Sequence, residues 1–564
     1  MRVEPVGRVV DRPAVAEVGM TARGMPGVVR LRRLSVPWMT MWYGTVEERR
    51  PADSGHRSGE QTATSQPGHG NDYGMPKPGC VSTEIAIVGS GFSGLGTAIR
   101  LKQRGYEDFV VLERADDVGG TWQANTYPGC RCDIPSHLYS FSFAPNPDWP
   151  ETYSTQPDIW EYLRRCAEAF GVRQHVHLNC DVEFATWLED ERVWALETSK
   201  GPVRARVVIA GLGFLAEPRI PVLPGLERFE GAVFHSSCWD HDFDVHGKRI
   251  ASIGTGASAI QYVPAIQPKV ERLHVFQRTP PWVLPHTTRP ISRLERRLYR
   301  RLPLLQRIVR AAVYASREAL VLGLVKWPPL MKVVERGARR HMASQVSDPV
   351  LRERVTPDYE IGCKRMLPSS GWYPAIAQPN VELVTESIVE VRARSVVDAA
   401  GVEREVDAII FGTGFRVTDH PAAQKIRGRG GRLLADAWKG SPRAHLGTTV
   451  AGFPNLFFLL GPNTGLGHSS MVYMIESQIA HVLRALELMS ERRADTIEVR
   501  PEAQERFNAA LERRLAGTVW NTGCASWYLD ETGHNATLWP DWTWRFRRRA
   551  ARLDPAEYVL RTAS

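Results

Sequence analysis

One pattern occurs twice in this chain and constrains its fold more than any other feature. From Glu84 the sequence reads strand, glycine-rich turn, helix, strand: EIAIV, GSGFSGLG, an amphipathic stretch to Gln103, then FVVLE. The same order returns as RIASI, GTGASA, IQYVPAI and LHVFQ. A strand that feeds a helix through a glycine turn and returns to a parallel strand is the unit of a doubly wound sheet. Two such units predict an α/β chain with two doubly wound, Rossmann-like dinucleotide-binding domains. A long stretch rich in Leu and Arg follows the second unit and predicts a helical insertion.

The two turns prefer different nucleotides. In the first, Gly89 makes the tight turn, Gly91 lets backbone approach a pyrophosphate, and Gly94 allows close helix–strand packing. Glu113 follows at the end of the next strand, where a carboxylate accepts ribose hydroxyls. In the second, Gly254, Gly256 and Ala259 take the same places. Arg278 stands 24 residues after Gly254, as Glu113 does after Gly89. A guanidinium there pairs a 2′-phosphate bidentately, and Thr279 beside it can donate to the same group. The pair of sites therefore reads as FAD first and NADPH second.

Charge points elsewhere at first. The 564 residues carry 71 Lys and Arg against 62 Asp and Glu, a net +9. Between Arg289 and Arg340, however, fourteen basic residues face three acids (Glu295, Glu318, Glu335), so one segment holds the whole excess. No nucleic-acid-binding signature accompanies it. Two readings stand: a solvated helix face, or a basic amphipathic helix pair near a membrane surface or above an anionic cofactor. No apolar run approaches the ~20 residues that span a bilayer, and no secretory h-region opens the chain. Eight cysteines are too sparse for a disulfide framework and read as reduced thiols in a cytoplasmic protein. Residues 1–82, with clusters such as SQPGHGNDYGMPKPG, read as a disordered tail or an over-extended start.

At Phe229 the sequence becomes specific. FEGAVFHSSCWD has the form F-x-G-x-x-x-H-x-x-x-W-D and lies just before the second glycine turn. It resembles the fingerprint of type I Baeyer–Villiger monooxygenases, within the flavin-containing monooxygenase superfamily. GGTWQANTYPGCRCDIPSHLYSFSF, FQRTPPWVLP, YEIGCKRMLPSSGWYPAI and GFPNLFFLLGPNTGLGHSSMVYMIESQ agree in order and spacing. The resemblance implies an NADPH- and oxygen-consuming enzyme that converts a ketone to an ester or lactone through a flavin peroxide. An N- or S-oxygenating flavin monooxygenase, or a non-catalytic nucleotide-binding redox sensor, stays open as an alternative.

The resemblance also implies roles. Arg365 in GCKRM matches the catalytic arginine, and Asp133 in CRCD the aspartate that contacts both it and the flavin. Thr121, Trp122, Tyr139, Val182 and Met471 match flavin-contacting positions. Arg131, Cys132, the run Thr255, Gly256, Ala257, Ser258, Ala259 and Gln261, and Lys364 beside Arg278 and Thr279 match the NADP side. AGLGF at Ala210 and FGTGF at Phe411 look like the two hinges between domains. His235, inside the fingerprint, is expected to be structural, not a general base. The implied layout is an FAD-binding domain from 83–216 and 409–564, an NADP-binding domain from 217–290 and 356–408, and the insertion at 291–355. Cys130 and Cys132 lack the spacing of a redox dithiol, the histidines lack the spacing of a zinc site, and no metal is expected. Gly371 and Trp372 depart from the family pattern and leave the choice of ketone open.

Overall fold

In the computed structural model, residues 81–562 are described. Internal contacts divide the chain into Met1–Gly74 and Met75–Ser564, and the described residues all lie in the second unit. The expectation for the N-terminal tail falls almost entirely outside them.

The first predicted unit forms as β1 (Val81–Val88), α1 (Phe92–Gln103) and β2 (Phe109–Leu112). β1 runs parallel to β2 on one side and to Val203–Ala210 on the other. It opens at Val81, ahead of the expected boundary, because Val81 and Ser82 already pair with Val203 and Arg204. Ile85, Ala86 and Ile87 are all buried, as in a strand covered on both faces. The finished sheet has eight strands, in the order Ile426–Arg427, Val182–Leu188, Val193–Thr198, Val203–Ala210, β1, β2, Val176–His177, with Leu456–Phe458 also pairing Val203–Ala210. The turn depends on Gly94: a Cβ there would lie 1.8 Å from the Gly89 carbonyl oxygen, so α1 could not approach β1 with any other residue.

The second unit is β3 (Arg249–Ile253), α2 (Ala259–Ile266) and β4 (Arg272–Phe276). It sits in a five-stranded parallel sheet ordered Val381–Val384, β4, β3, Ala408–Phe411, Ala232–His235. Gly254 turns at φ +104, and a Cβ there would meet the Gly412 oxygen at 2.5 Å. Ala408–Phe411 is hydrogen-bonded within this second sheet. The chain therefore leaves that sheet at Gly412–Gly414, slightly past the boundary expected at 408.

The insertion is helical: α3 (Arg293–Arg301), α4 (Pro303–Glu318) and α5 (Met331–Gln345). Ser292 and Glu295 close a capping box on α3, and Pro303 opens α4 at a position where its missing N–H costs nothing. The longest helix, α6 (Met471–Glu491), packs on α1 and on Thr543–Ala550. No helix among the described residues is long and apolar enough to cross a membrane.

The cysteines correct one expectation. Cys363 and Cys524, 161 residues apart, form a disulfide, while Cys130, Cys132, Cys166, Cys180 and Cys238 are free. Spacing could not reveal the pair. Its halves meet because residues 519–528, in a C-terminal part of the chain rich in Trp, fold back on the Cys363 loop, where Ile361, Val519, Trp520 and Tyr528 share one apolar cluster.

Candidate active site between the two nucleotide halves

The first turn is held by its own acid. Glu113 is buried one residue past β2; its Oε2 accepts from the N–H and hydroxyl of Ser90, both at 2.7 Å, and its Oε1 from the Ala115 N–H at 2.9 Å. Three of about four acceptor sites are thus filled, leaving one for a ribose hydroxyl. Gly120 abuts Gly91 and opens the short helix Thr121–Ala124. Trp122 Nε1 donates to the Tyr139 hydroxyl at 3.1 Å, and the two rings meet edge-on. Val182 packs on the cluster that includes Leu112, the residue before Glu113. Met471 opens α6 beside a separate cluster that includes Leu466.

On the second side, Gln261 clamps Arg131. Its Oε1 accepts from the Arg131 N–H at 3.2 Å and its Nε2 donates to the Arg131 carbonyl at 3.1 Å. Thr255 donates to the Thr279 carbonyl at 3.3 Å. Lys364 lies 4.6 Å from the Tyr359 ring centre. Burial, and then the charge of Arg278, lower its pKa. The two cations face one another, and neither forms an ion pair among the described residues. A doubly charged phosphate is what such a pair lacks, so these residues fit the 2′-phosphate of NADP.

Arg365 and Asp133 meet across 232 residues of sequence. Arg365 Nε and Nη2 donate to Asp133 Oδ2 at 2.7 and 2.5 Å, and Nη1 donates to the Leu466 carbonyl at 3.2 Å. Burial disfavours the guanidinium charge, but Asp133 outweighs it and holds the pKa above the usual arginine value. The side chains of Arg365 and Asp133 keep 24% and 22% of their surface open, so the pair can still face a reactant. The arrangement presents a permanent, oriented cation in a largely dry place, suited to stabilising a developing oxyanion.

Residues 82–319 match the flavin-binding monooxygenase-like family. A Baeyer–Villiger monooxygenase of Pseudomonas aeruginosa is 52% identical over 482 residues, covering 85% of this chain and 92% of that protein. One of Streptomyces coelicolor is 52% identical over 484 residues, covering 85% and 93%. This chain belongs to the Baeyer–Villiger monooxygenases. Its fold agrees with a steroid monooxygenase bound to NADP (TM-score 0.77, 30% identity, 86% of this chain and 100% of that one). It agrees equally with the cyclohexanone monooxygenase of Rhodococcus sp. Phi1 bound to NADP+ (0.75, 28%, 86% and 100%).

Within this Baeyer–Villiger monooxygenase, the fingerprint histidine faces inward. His235 is fully buried, its Nδ1 accepts from the Ser237 N–H at 3.1 Å, and burial lowers its pKa to about 4. Its ring meets Phe415 edge-on, and its strand pairs Phe411. The second expected hinge meets the chain just after the first, through a Pro218–Phe415 bridge and an Arg219 N–H to Gly414 carbonyl bond of 2.9 Å. Cys130 and Cys132 are buried thiols, the first pushed up to about 12 by burial, so neither is a reactive thiolate. Trp372 lies in the main core and Gly371 against Pro264.

Sequence reasoning missed Tyr528. It is buried beside Arg365, and its hydroxyl has no hydrogen-bond partner among the described residues. The C-terminal stretch that carries it is dense in Trp, but nothing in its spacing ties it to GCKRM. The Cys363–Cys524 bond does so in the fold.

Proposed function

We propose that this enzyme consumes NADPH and oxygen to convert a ketone to an ester or lactone, with Arg365 as its catalytic residue and Asp133 positioning it. The observation that carries this reading is the Arg365–Asp133 pair, whose geometry aims a fixed positive charge while leaving it partly open. When bound, FAD reduced by NADPH supplies the oxygen-inserting chemistry. Gly89, Gly91, Gly94, Glu113, Trp122 and Tyr139 would hold FAD. Arg131, Gln261, Arg278, Thr279 and Lys364 would hold NADP.

Each residue has a physical task. Asp133 takes two N–H donors of Arg365 and so fixes the plane of the guanidinium; the Leu466 carbonyl takes a third. That leaves the remaining N–H groups to bind negative charge on the reactant oxygens, and no proton needs to move from Arg365 at any working pH. His235, sealed and neutral, transmits contact between the strand Ala232–His235 and the hinge at Gly414. The name of its neighbour cyclohexanone monooxygenase supports a ketone as substrate.

A panel of cyclic, aromatic and steroid ketones, together with sulfides and amines, tests the reading with NADPH under oxygen. Ester or lactone from at least one ketone class is expected. Oxygenated sulfides and amines with every ketone returned unchanged would assign the enzyme to heteroatom oxidation instead.

A further inference from the structure

Helix α4 carries apolar residues on both of its sides. Its inner side packs Leu305, Val309, Val313 and Tyr314 on the core, and polar residues anchor it there: Gln306 donates to the Asn146 carbonyl at 2.7 Å, Arg310 to the His137 carbonyl at 2.6 Å, and Arg317 to the Tyr153 hydroxyl at 2.7 Å. Buried Glu318 accepts from the N–H and hydroxyl of Thr543 at 3.0 and 2.7 Å. The outward side is largely apolar too. Leu304, Ile308, Ala311 and Ala315, with Ala319 and Leu322 just past the helix end, follow one another at helical spacing, and all are exposed. A helix at the surface of a soluble protein ordinarily keeps its outward side polar.

Exposed apolar residues continue in the sequence on both sides of α4. Of sixteen exposed large hydrophobic residues among those described, eight fall between Leu294 and Val333. Leu304, Leu294, Val333 and Trp327 expose 67, 66, 65 and 60% of their surface. Such a concentration in one short stretch marks an interaction surface, where scattered single residues would need no explanation. Basic side chains flank it. Arg293, Arg297, Arg301 and Arg307 on one side, and Lys332 and Arg336 on the other, are exposed and have no acidic partner among the described residues.

We propose that this face, made by α3, α4 and the Trp327–Val333 stretch, docks reversibly on an anionic phospholipid bilayer. Charge decides the occupant. A second copy of the chain would set the same unpaired cations against each other, whereas anionic headgroups neutralise them. The exposed Leu, Ile and Trp side chains then enter the boundary between headgroups and acyl chains, as on an interfacial amphipathic helix. The proposal goes beyond the ketone reaction and does not depend on it.

Flotation of the full-length FAD-loaded protein tests it, with vesicles of phosphatidylcholine alone or mixed with phosphatidylglycerol, at low and high salt. Co-flotation with the anionic vesicles at low salt is expected, weakened at high salt and absent with phosphatidylcholine alone. Arg297→Gln with Arg301→Gln should lower partitioning by roughly tenfold or more, since each basic residue near an anionic surface contributes about 1 kcal/mol. Leu304→Ser with Ile308→Ser removes the inserted side chains and should lower it at both salt concentrations. All four residues are exposed, so unchanged flavin content and melting temperature confirm intact variants. Protein that stays at the bottom of the low-salt gradient overturns the proposal. So does equal flotation of wild type and both variants, which would place binding elsewhere on the chain. A dimer in light scattering that the Leu304→Ser, Ile308→Ser variant abolishes, without vesicle binding, would name a second copy as the occupant and overturn it too.

Discussion

At the scale of single residues, the nucleotide preference of the second site was legible and the surroundings of Arg365, the proposed catalytic arginine, were not. Arg278 follows from counting along two copies of one local pattern, and strand, turn and helix lengths preserve that count. The fold then adds Lys364 from a distant loop to face it, its pKa lowered by burial and by Arg278. Loss of one charge-assisted bidentate contact costs a few kcal/mol at most, so Arg278→Ala should raise the KM for NADPH roughly ten- to a hundredfold. NADH, which has no 2′-phosphate, should be used almost as before; steady-state kinetics with both nucleotides checks this. A similar loss for both would remove Arg278 from the phosphate site. Tyr528, by contrast, reaches Arg365 only through tertiary folding, and no periodicity marks it.

Elements were read well where the pattern was local. Both strand–turn–helix–strand units form as expected, since each carries its own alternation, glycine turn and apolar helix face. The exposed apolar side of α4 could not be recognised as such, because α4 has apolar residues on two sides and the sequence does not say which of them the core covers. The disulfide was misread for a related reason: low cysteine density argues against a framework and says nothing about one long-range pair. Cys363 and Cys524 tie the loop that carries Lys364 and Arg365 to the C-terminal segment that carries Tyr528. A disulfide typically stabilises a fold by about 2–4 kcal/mol, more for longer loops. Cys524→Ser should therefore lower the denaturation midpoint under non-reducing conditions. Dithiothreitol should shift the wild type toward the variant and leave the variant unchanged, and a wild type insensitive to reductant would show that the bond adds nothing.

For the whole molecule, burial dominates the response to acid. His137, His235 and His481 are held down to about 4 and His445 to about 3, with burial as the leading cause in each. A histidine unfolded near 6.5 and folded near 4 binds its proton more readily in the unfolded chain between those values. Stability from these groups is complete above about pH 6.5 and is lost as pH falls toward 4. Melting temperatures measured across that window should fall with pH, and a flat profile would contradict the burial of these rings.

The central claim also belongs to this scale, because Asp133 comes from the first nucleotide half and Arg365 from a loop that follows the second. In the proposed function, their meeting couples NADPH consumption to oxygen insertion. The most direct test is ester formed per NADPH consumed, compared between wild type and Arg365→Ala at equal flavin content. Removal of one preorganised electrostatic partner typically costs ~10²–10³ in rate. The variant should still oxidise NADPH, release hydrogen peroxide, and form ester at least about a hundredfold more slowly. An unchanged ratio of ester to NADPH in Arg365→Ala would contradict the account.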